Sequence, residues 1–306
     1  VQSVFITGSS GFVGRHLLPR LLSGGARKIF CLSRREAPVG TVVPDGVTLQ
    51  HIRGSLFDTS LYARELADSE CVVHLAAATG KAPAEEHFRT NLEGTRALVE
   101  ECRRTRVPHF LHVSTIAVKF ADKKRYPYAQ AKEQAEEVVR QSGLAFTIAR
   151  PTMVFGPGAP VLEGLLRLAS LPVVPVFGSG AVRVQPIDVE DLAMLLAAVV
   201  DTARFRGETL ELGGPQALSI EELIRMMVLL RKNSPPRTLH LPMGLLLPVL
   251  SALESFLGGH LPFTVGQLAT FRFDGTAAGN PLWDEYRSRL KTPGAMLGPI
   301  FAHAGR

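Results

Sequence analysis

The sequence predicts an α/β fold, a doubly wound parallel sheet followed by a smaller α-rich C-terminal lobe. Three observations carry that expectation. Short apolar runs alternate with helical segments through the first half of the chain. A glycine turn follows the first run and opens the first helix. The apolar runs are continuous rather than alternating, as in strands covered on both faces.

Each element can be read in order. Val4–Thr7 is the first strand and Phe12–Leu22 the first helix. Pro19 falls inside that helix, where proline costs about 3 kcal/mol. Leu17, Leu18, Leu21 and Leu22 still form a helical stripe, so the helix is retained with a kink. Strands are expected at Lys28–Leu32, Thr48–Arg53, Cys71–Leu75, His109–Val113 and Ala145–Ala149. Helices are expected near Ser60–Ala67, over roughly Glu85–Thr105 and at Tyr128–Ser142. After Arg150 the turn-rich Gly156-Pro157-Gly158-Ala159-Pro160 marks a boundary. Asp188–Val200 reads as one more sheet-covering helix, with later helices at Ser219–Arg231 and about Met243–Leu257. The expected division is 1–150 with 184–205 returning to it, against 151–183 and 206–306.

Composition bounds the function. The 306 residues are 46% hydrophobic and 20% charged, ordinary for a globular protein and against disorder. No run approaches the roughly 18 apolar residues of a membrane span. Val1–Ile6 leads directly into a strand, so no signal peptide is expected. Three widely spaced cysteines, Cys31, Cys71 and Cys102, without a CxxC, fit a reducing, cytoplasmic compartment and no metal. The net charge of +6 suits anionic cofactors and acidic partners. No basic stripe with interleaved aromatics marks a nucleic-acid surface. The densest basic cluster, Lys119, Lys123, Lys124 and Arg125, reads as a solvated loop.

The turn Thr7-Gly8-Ser9-Ser10-Gly11-Phe12-Val13-Gly14 has the spacing of a dinucleotide cradle. Gly8 permits the tight turn, Gly11 lets a pyrophosphate approach, and Gly14 allows close helix packing. Ser10, Phe12 and Val13 complete the loop, and the helix N-terminus offers free N–H donors to phosphates. At the end of the second strand, Ser33-Arg34-Arg35 suits a ribose 2′-phosphate better than a 2′-hydroxyl, which favours NADP(H) over NAD(H). Leu75, Ala76 and Ala77 are small or apolar where the cofactor ribose would pass, and His74 reads as a packed structural histidine.

Tyr128 and Lys132 share one helix face, fourteen residues after Ser114. A tyrosine exchanges an alcohol proton only if its solution pKa of about 10 is lowered. An ammonium one turn away does so, and a hydroxyl can hold the substrate oxygen beside it. Ser114 has no His or acidic partner nearby in sequence, so it is expected to hydrogen-bond rather than attack, and Thr115 shares or replaces that role. Asn91 either breaks its helix and holds a water near Lys132 or is a surface polar residue. The set points to hydride transfer at a carbinol or carbonyl.

These blocks together resemble the extended and atypical short-chain dehydrogenase/reductase superfamily, the NAD-dependent epimerase/dehydratase-like proteins, with a Rossmann fold. The resemblance runs from the glycine loop to Arg150-Pro151 and Val154-Phe155-Gly156-Pro157. It implies that Pro151 and Val154 line the nicotinamide carboxamide, that Lys132 also binds the nicotinamide ribose, and that Asn91 completes a proton relay. It implies that Ser55, beside Leu56, stands where the family often has an aspartate holding adenine. It further implies that Arg183 meets a substrate diphosphate and that Thr152 sits in the substrate segment. A nucleotide-sugar or a hydrophobic carbonyl or alcohol is the expected small-molecule substrate. Related enzymes often pair through helices of the sheet layer, so the resemblance makes a homodimer plausible.

The run Leu241-Pro242-Met243 to Leu261-Pro262-Phe263-Thr264, with Gln267-Leu268, is similar to bacterial relatives of the nucleotide-binding accessory subunit of respiratory complex I. That similarity implies an alternative, a dinucleotide-binding structural or assembly protein whose site turns over slowly or not at all. The apolar 243–257 segment reads first as core packing, with a hydrophobic substrate channel or a peripheral membrane contact as the other readings.

Overall fold

A computed structural model describes residues 1–34, 41–202, 204–244 and 270–303. Two compact units divide the chain. The first comprises Val1–Thr115, Tyr128–Arg150 and Val189–Glu211; the second comprises Ile116–Pro127, Pro151–Asp188 and Leu212–Arg306. Relative to the expected boundaries, Ile116–Pro127 falls in the second unit and the returning segment is Val189–Glu211.

The strands are β1 (Ser3–Thr7), β2 (Lys28–Ser33), β3 (Thr48–Arg53), β4 (Cys71–His74), β5 (Phe110–Val113) and β6 (Phe146–Pro151). Together with Glu208–Leu212 they form a seven-stranded sheet in the order Glu208–Leu212, β6, β5, β4, β1, β2, β3. Every pairing among β1 to β6 is parallel. This is the doubly wound Rossmann sheet, with the strand order reversing at β1 and β4. All of β1, β4 and β5 is buried, in keeping with their largely apolar sequences, whereas the edge strand β3 is mostly exposed. Phe5, Tyr62, Val72, Leu98, Phe110 and Ile148 join strands and covering helices in one core.

Helix α1 spans Gly14–Ser23 with Leu17, Leu18, Leu21 and Leu22 buried. Pro19 lies inside it on the exposed side, where the carbonyl that loses its donor can face water. Helix α2 is Thr59–Ala67. The expected single helix over 85–105 is instead three pieces: Ala84–His87, a wide π-helical turn at Phe88–Glu93, and α3 at Gly94–Arg104. The wide turn has a local cause. Asn91 sits at its centre with its amide bound to loop backbone, and Thr95 Oγ1 donates to the Asn91 carbonyl at 2.7 Å. Gly94 passes so close to Leu56 that a Cβ would lie 2.8 Å from its methyl. Helix α4 is Pro127–Arg140 and α5 is Val189–Thr202. His16 and Arg20 of α1 both bind Glu190 of α5.

Among its described residues the second unit has helices α6 (Pro160–Ser170) and α7 (Ile220–Lys232) and three two-stranded sheets. Ser219 caps α7 by a reciprocal hydrogen-bonded box with Glu222, which sets its start. The expected helix over 243–257 and the Gln267-Leu268 segment lie outside the described residues, apart from Met243 and Gly244. No helix among the described residues is long and apolar enough to cross a membrane.

Candidate active site

The glycine turn is built by close approach. Gly8 has φ +74°, and a Cβ there would lie 2.7 Å from the Ala76 nitrogen. A Cβ on Gly14 would lie 2.2 Å from the Gly8 carbonyl oxygen, and one on Gly11 3.1 Å from the same atom. Gly8 accepts from the Gly11 N–H at 3.0 Å, and Gly11 in turn accepts from Arg15 at 3.1 Å. The N–H groups of Arg15, His16 and Leu17 are taken by Gly11 and Val13, and this end of α1 offers a phosphate the positive end of the helix dipole. Ser10, Phe12 and Val13 flank it, partly exposed. These residues fit a dinucleotide pyrophosphate, because a side chain at Gly8 or Gly14 would collide with the backbone that closes the turn.

Around the loop, His74 is fully buried between Thr7 Oγ1 at 2.7 Å and Thr95 Oγ1 at 2.9 Å. Burial, and then the Lys132 charge, push it down to about 3, so it is a neutral structural histidine. Leu75, Ala76 and Ala77 follow, each partly exposed. Asn91 is wholly buried, not a surface residue: its Oδ1 accepts from the Ala78 N–H at 2.7 Å and its Nδ2 donates to the Ala78 carbonyl at 2.9 Å. Ser55 offers its N–H to Asp58 Oδ2 at 3.0 Å, and Leu56 is buried. Ser33 is partly buried; Arg34 is 74% exposed, with Glu86 3.9 Å away. Arg35 lies outside the described residues.

Helix α4 carries the chemistry. Tyr128, Lys132, Glu136 and Arg140 recur every four residues along one face. Tyr128 is hydrogen-bonded to the Thr115 side chain and packs edge-on against His87 at 5.7 Å. Burial pushes the phenol up to about 12, against the smaller lowering effect of Thr115. Of the two hydroxyls that the sequence left open, Thr115 partners the phenol, because successive residues leaving a strand face opposite ways. The phenol is raised rather than lowered as expected, and the Lys132 amine turns to the sheet, donating to the Val113 carbonyl at 2.7 Å and meeting His112 Nε2 at 3.2 Å. Burial pushes that amine down to about 7, opposed by Glu136.

Ser114 is buried on the other side, and its Oγ makes no hydrogen bond of good geometry. It lies towards Glu136, a fully buried carboxylate held by Arg150 at 2.6 and 2.9 Å and Arg140 at 2.7 Å. Burial would raise Glu136, but Arg150 first, then Ser114 and Arg140, hold it below its usual range. Sequence reasoning missed Glu136, Arg150 and His112. The signal was present for Glu136, which continues the four-residue spacing from Tyr128 and Lys132.

In the second unit, Pro151 is buried and Val154 partly exposed, the latter paired with Ile187. Thr152 is also buried, its hydroxyl donating to the Gln185 carbonyl and its N–H to Leu212 at 2.9 Å. That occupies the hydroxyl expected to meet substrate. Arg183 is exposed; its guanidinium donates to the Ala217 carbonyl at 3.2 Å and its N–H to Asp274 at 2.8 Å. Lys123 bends back onto the Val118 and Phe120 carbonyls rather than standing free in a solvated loop.

Residues 4–213 match the NAD dependent epimerase/dehydratase family. The chain belongs to that family. A ceramide reductase of Caulobacter vibrioides is 34% identical over 200 residues, 65% of this chain and 61% of the relative, so less than two thirds of that protein is spanned. Subunit 9 of the NADH dehydrogenase (ubiquinone) 1 alpha subcomplex, mitochondrial, of Arabidopsis thaliana is 25% identical over 290 residues, 90% of this chain and 68% of the relative. Among solved structures, a dTDP-glucose 4,6-dehydratase double mutant from Streptomyces venezuelae with NAD bound superposes with a TM-score of 0.72. It covers 99% of this chain and 97% of the other at 22% identity, a likeness of fold alone.

Proposed function

We propose that the protein is an NAD(P)-dependent oxidoreductase acting at a carbinol or carbonyl, with Tyr128 as general acid/base. One observation carries the reading: the Tyr128 phenol is bonded to Thr115 at the end of β5, with Lys132 buried one turn further along the same helix. Parallel sheets of this type bind ligands at the carboxyl ends of their strands, where Thr115 and the glycine turn both lie.

When bound, the nicotinamide supplies or accepts the hydride. Gly8, Gly11 and Gly14 would hold its pyrophosphate and Lys132 its ribose. Thr115 orients the substrate oxygen, and Tyr128 gives or takes that oxygen's proton. With its pKa raised to about 12, the phenol keeps its proton at neutral pH in the ligand-free state, which favours donation to a carbonyl.

Ser33 and Arg34, with Arg35 following in sequence, favour NADP(H) over NAD(H). Of the two expected substrate classes, a hydrophobic carbonyl is favoured by the relative named as a ceramide reductase. Arg183 remains the residue for an anionic substrate group, and Thr152 has only a structural role in this reading. The test is turnover of NADPH with long-chain ketones and with nucleotide-sugars, in the native protein and in Tyr128→Phe. Activity on a ketone that the variant loses, while still binding cofactor, supports the reading; undiminished activity in the variant removes Tyr128 from its role.

A second reading rests on the match to the complex I subunit across 90% of this chain. A dinucleotide-binding assembly protein would keep cofactor bound, co-purify with partner proteins and show no turnover. Rapid exchange of NADPH by a monodisperse protein counts against it.

A further inference from the structure

His112 is a buried group that the proposed chemistry does not use. Its ring lies on β5 with no exposed surface, stacked near Phe110 and 5.4 Å from the ring of His74. Its Nε2 is 3.2 Å from the Lys132 amine, while its Nδ1 is buried without a hydrogen-bond partner among the described residues. Burial first, then the charges on Lys132 and Arg140 and the neighbouring His74, hold the imidazole well below its usual range. The ring is therefore neutral, with one proton to place on either nitrogen.

We propose that His112 is a positioning residue for Lys132, holding the amine against the end of β5 and exchanging tautomer as that amine gains or loses its proton. Beside an ammonium, Nε2 must accept, so the ring proton sits on Nδ1, where nothing receives it. Beside a neutral amine, Nε2–H donates to the lysine nitrogen and Nδ1 carries only a lone pair. The proton leaving the amine goes to solvent, and the ring merely moves its own, so protons balance. One hydrogen bond survives in both states, which an apolar neighbour could not provide.

The groups facing the amine are the Val113 carbonyl and His112 from β5 and Glu136 from its own helix, whose charge favours the ammonium. His74 of β4 is neutral, and Tyr128 stands one turn earlier. Burial places the change of lysine charge at about 7. The inference deepens the proposed function and rests on Lys132 serving the cofactor.

The experiment is nitrogen-15 NMR of the His112 ring in the intact protein, titrated with pH alongside carbon-13 at the lysine Cε positions. The chain has eight lysines, and Lys132 is the signal absent from Lys132→Met. The expected result is an Nδ1–H ring below the Lys132 midpoint and an Nε2–H ring above it. A tautomer constant across that midpoint overturns the proposal, and this test needs no folded variant of His112. His112→Phe keeps an aromatic ring but cannot accept; the lysine midpoint should fall by about one pH unit. His112→Gln, whose amide can accept or donate, should restore most of that shift. A midpoint unmoved in the Phe variant also overturns the proposal. Full turnover in Tyr128→Phe would remove Tyr128 from its role while leaving the tautomer measurement to decide His112 independently.

Discussion

The glycine turn after β1 and the polar face of α4 serve the same edge of the sheet but are made in opposite ways. The turn is backbone: Gly8 and Gly14 act by lacking a Cβ where Ala76 and Gly8 approach within 3 Å. The helix face is side chain: Lys132 and Glu136 are charged groups taken almost wholly out of water, each 1% exposed. Fixed dipoles cost little to bury because loop and helix already need those conformations. Buried charges cost several kcal/mol each unless partners surround them, so that region depends on distant contacts. The lesson is that the cradle is a local device, and the proton-handling site a tertiary one.

The sharpest way to break the contrast is in the cradle. Gly14→Ala forces a methyl into the Gly8 carbonyl, and cofactor affinity should fall by about a hundredfold or more, with about 2–4 kcal/mol of stability lost. Calorimetry and isothermal titration check both. Wild-type affinity in this variant would show that the cradle is looser than the close approach implies.

Next comes the phenol. Tyr128→Phe should lower turnover by about a hundredfold or more while leaving the cofactor Kd within about twofold. A parallel loss of cofactor binding would move Tyr128 from chemistry to structure.

Glu136→Gln tests the buried charges. Removing the carboxylate charge weakens the pairing with Arg150 and Arg140 and should cost about 2–4 kcal/mol by urea unfolding. Because Glu136 is held below its unfolded value, its contribution is present above about pH 4.3 and lost as pH falls through the lower folded value. The variant should therefore lose part of the wild type's acid sensitivity. Equal stability at pH 7 would mean that burial cancels the pairing.

Lys132 gives the opposite sign. Its folded value is pushed down to about 7, below the unfolded value of about 10.4. Between those values the unfolded chain binds the extra proton, so stability rises with pH, and the penalty is complete below 7. Lys132→Met should flatten that slope and stabilise the protein at pH 6 by about 1–3 kcal/mol. An unchanged slope would mean that the amine keeps its charge despite burial.

The same contrast explains what the sequence made legible. Gly8, Gly11 and Gly14 follow a strand and open a helix, so their roles are written in adjacent residues. Tyr128 and Lys132 were visible from spacing alone. Ser114 and Thr115 were not separable, because which hydroxyl faces the phenol depends on how the chain leaves β5. Asn91 resembled a helix residue of uncertain side, and only the approach of Ala78 shows why the turn widens there. His112 carried no signal: an isolated histidine in an apolar strand acquires meaning only when Lys132 arrives from twenty residues on. Arg150 and Glu136 are fourteen residues apart and meet through packing of α4 on β6.

The central claim is that the face of α4 carrying Tyr128 and Lys132 is a redox site. A crystal structure of the protein with NADP bound tests it most directly. The account predicts the Tyr128 phenol beside the nicotinamide ring and the Lys132 amine on the adjoining ribose. A nicotinamide lying away from both would contradict it.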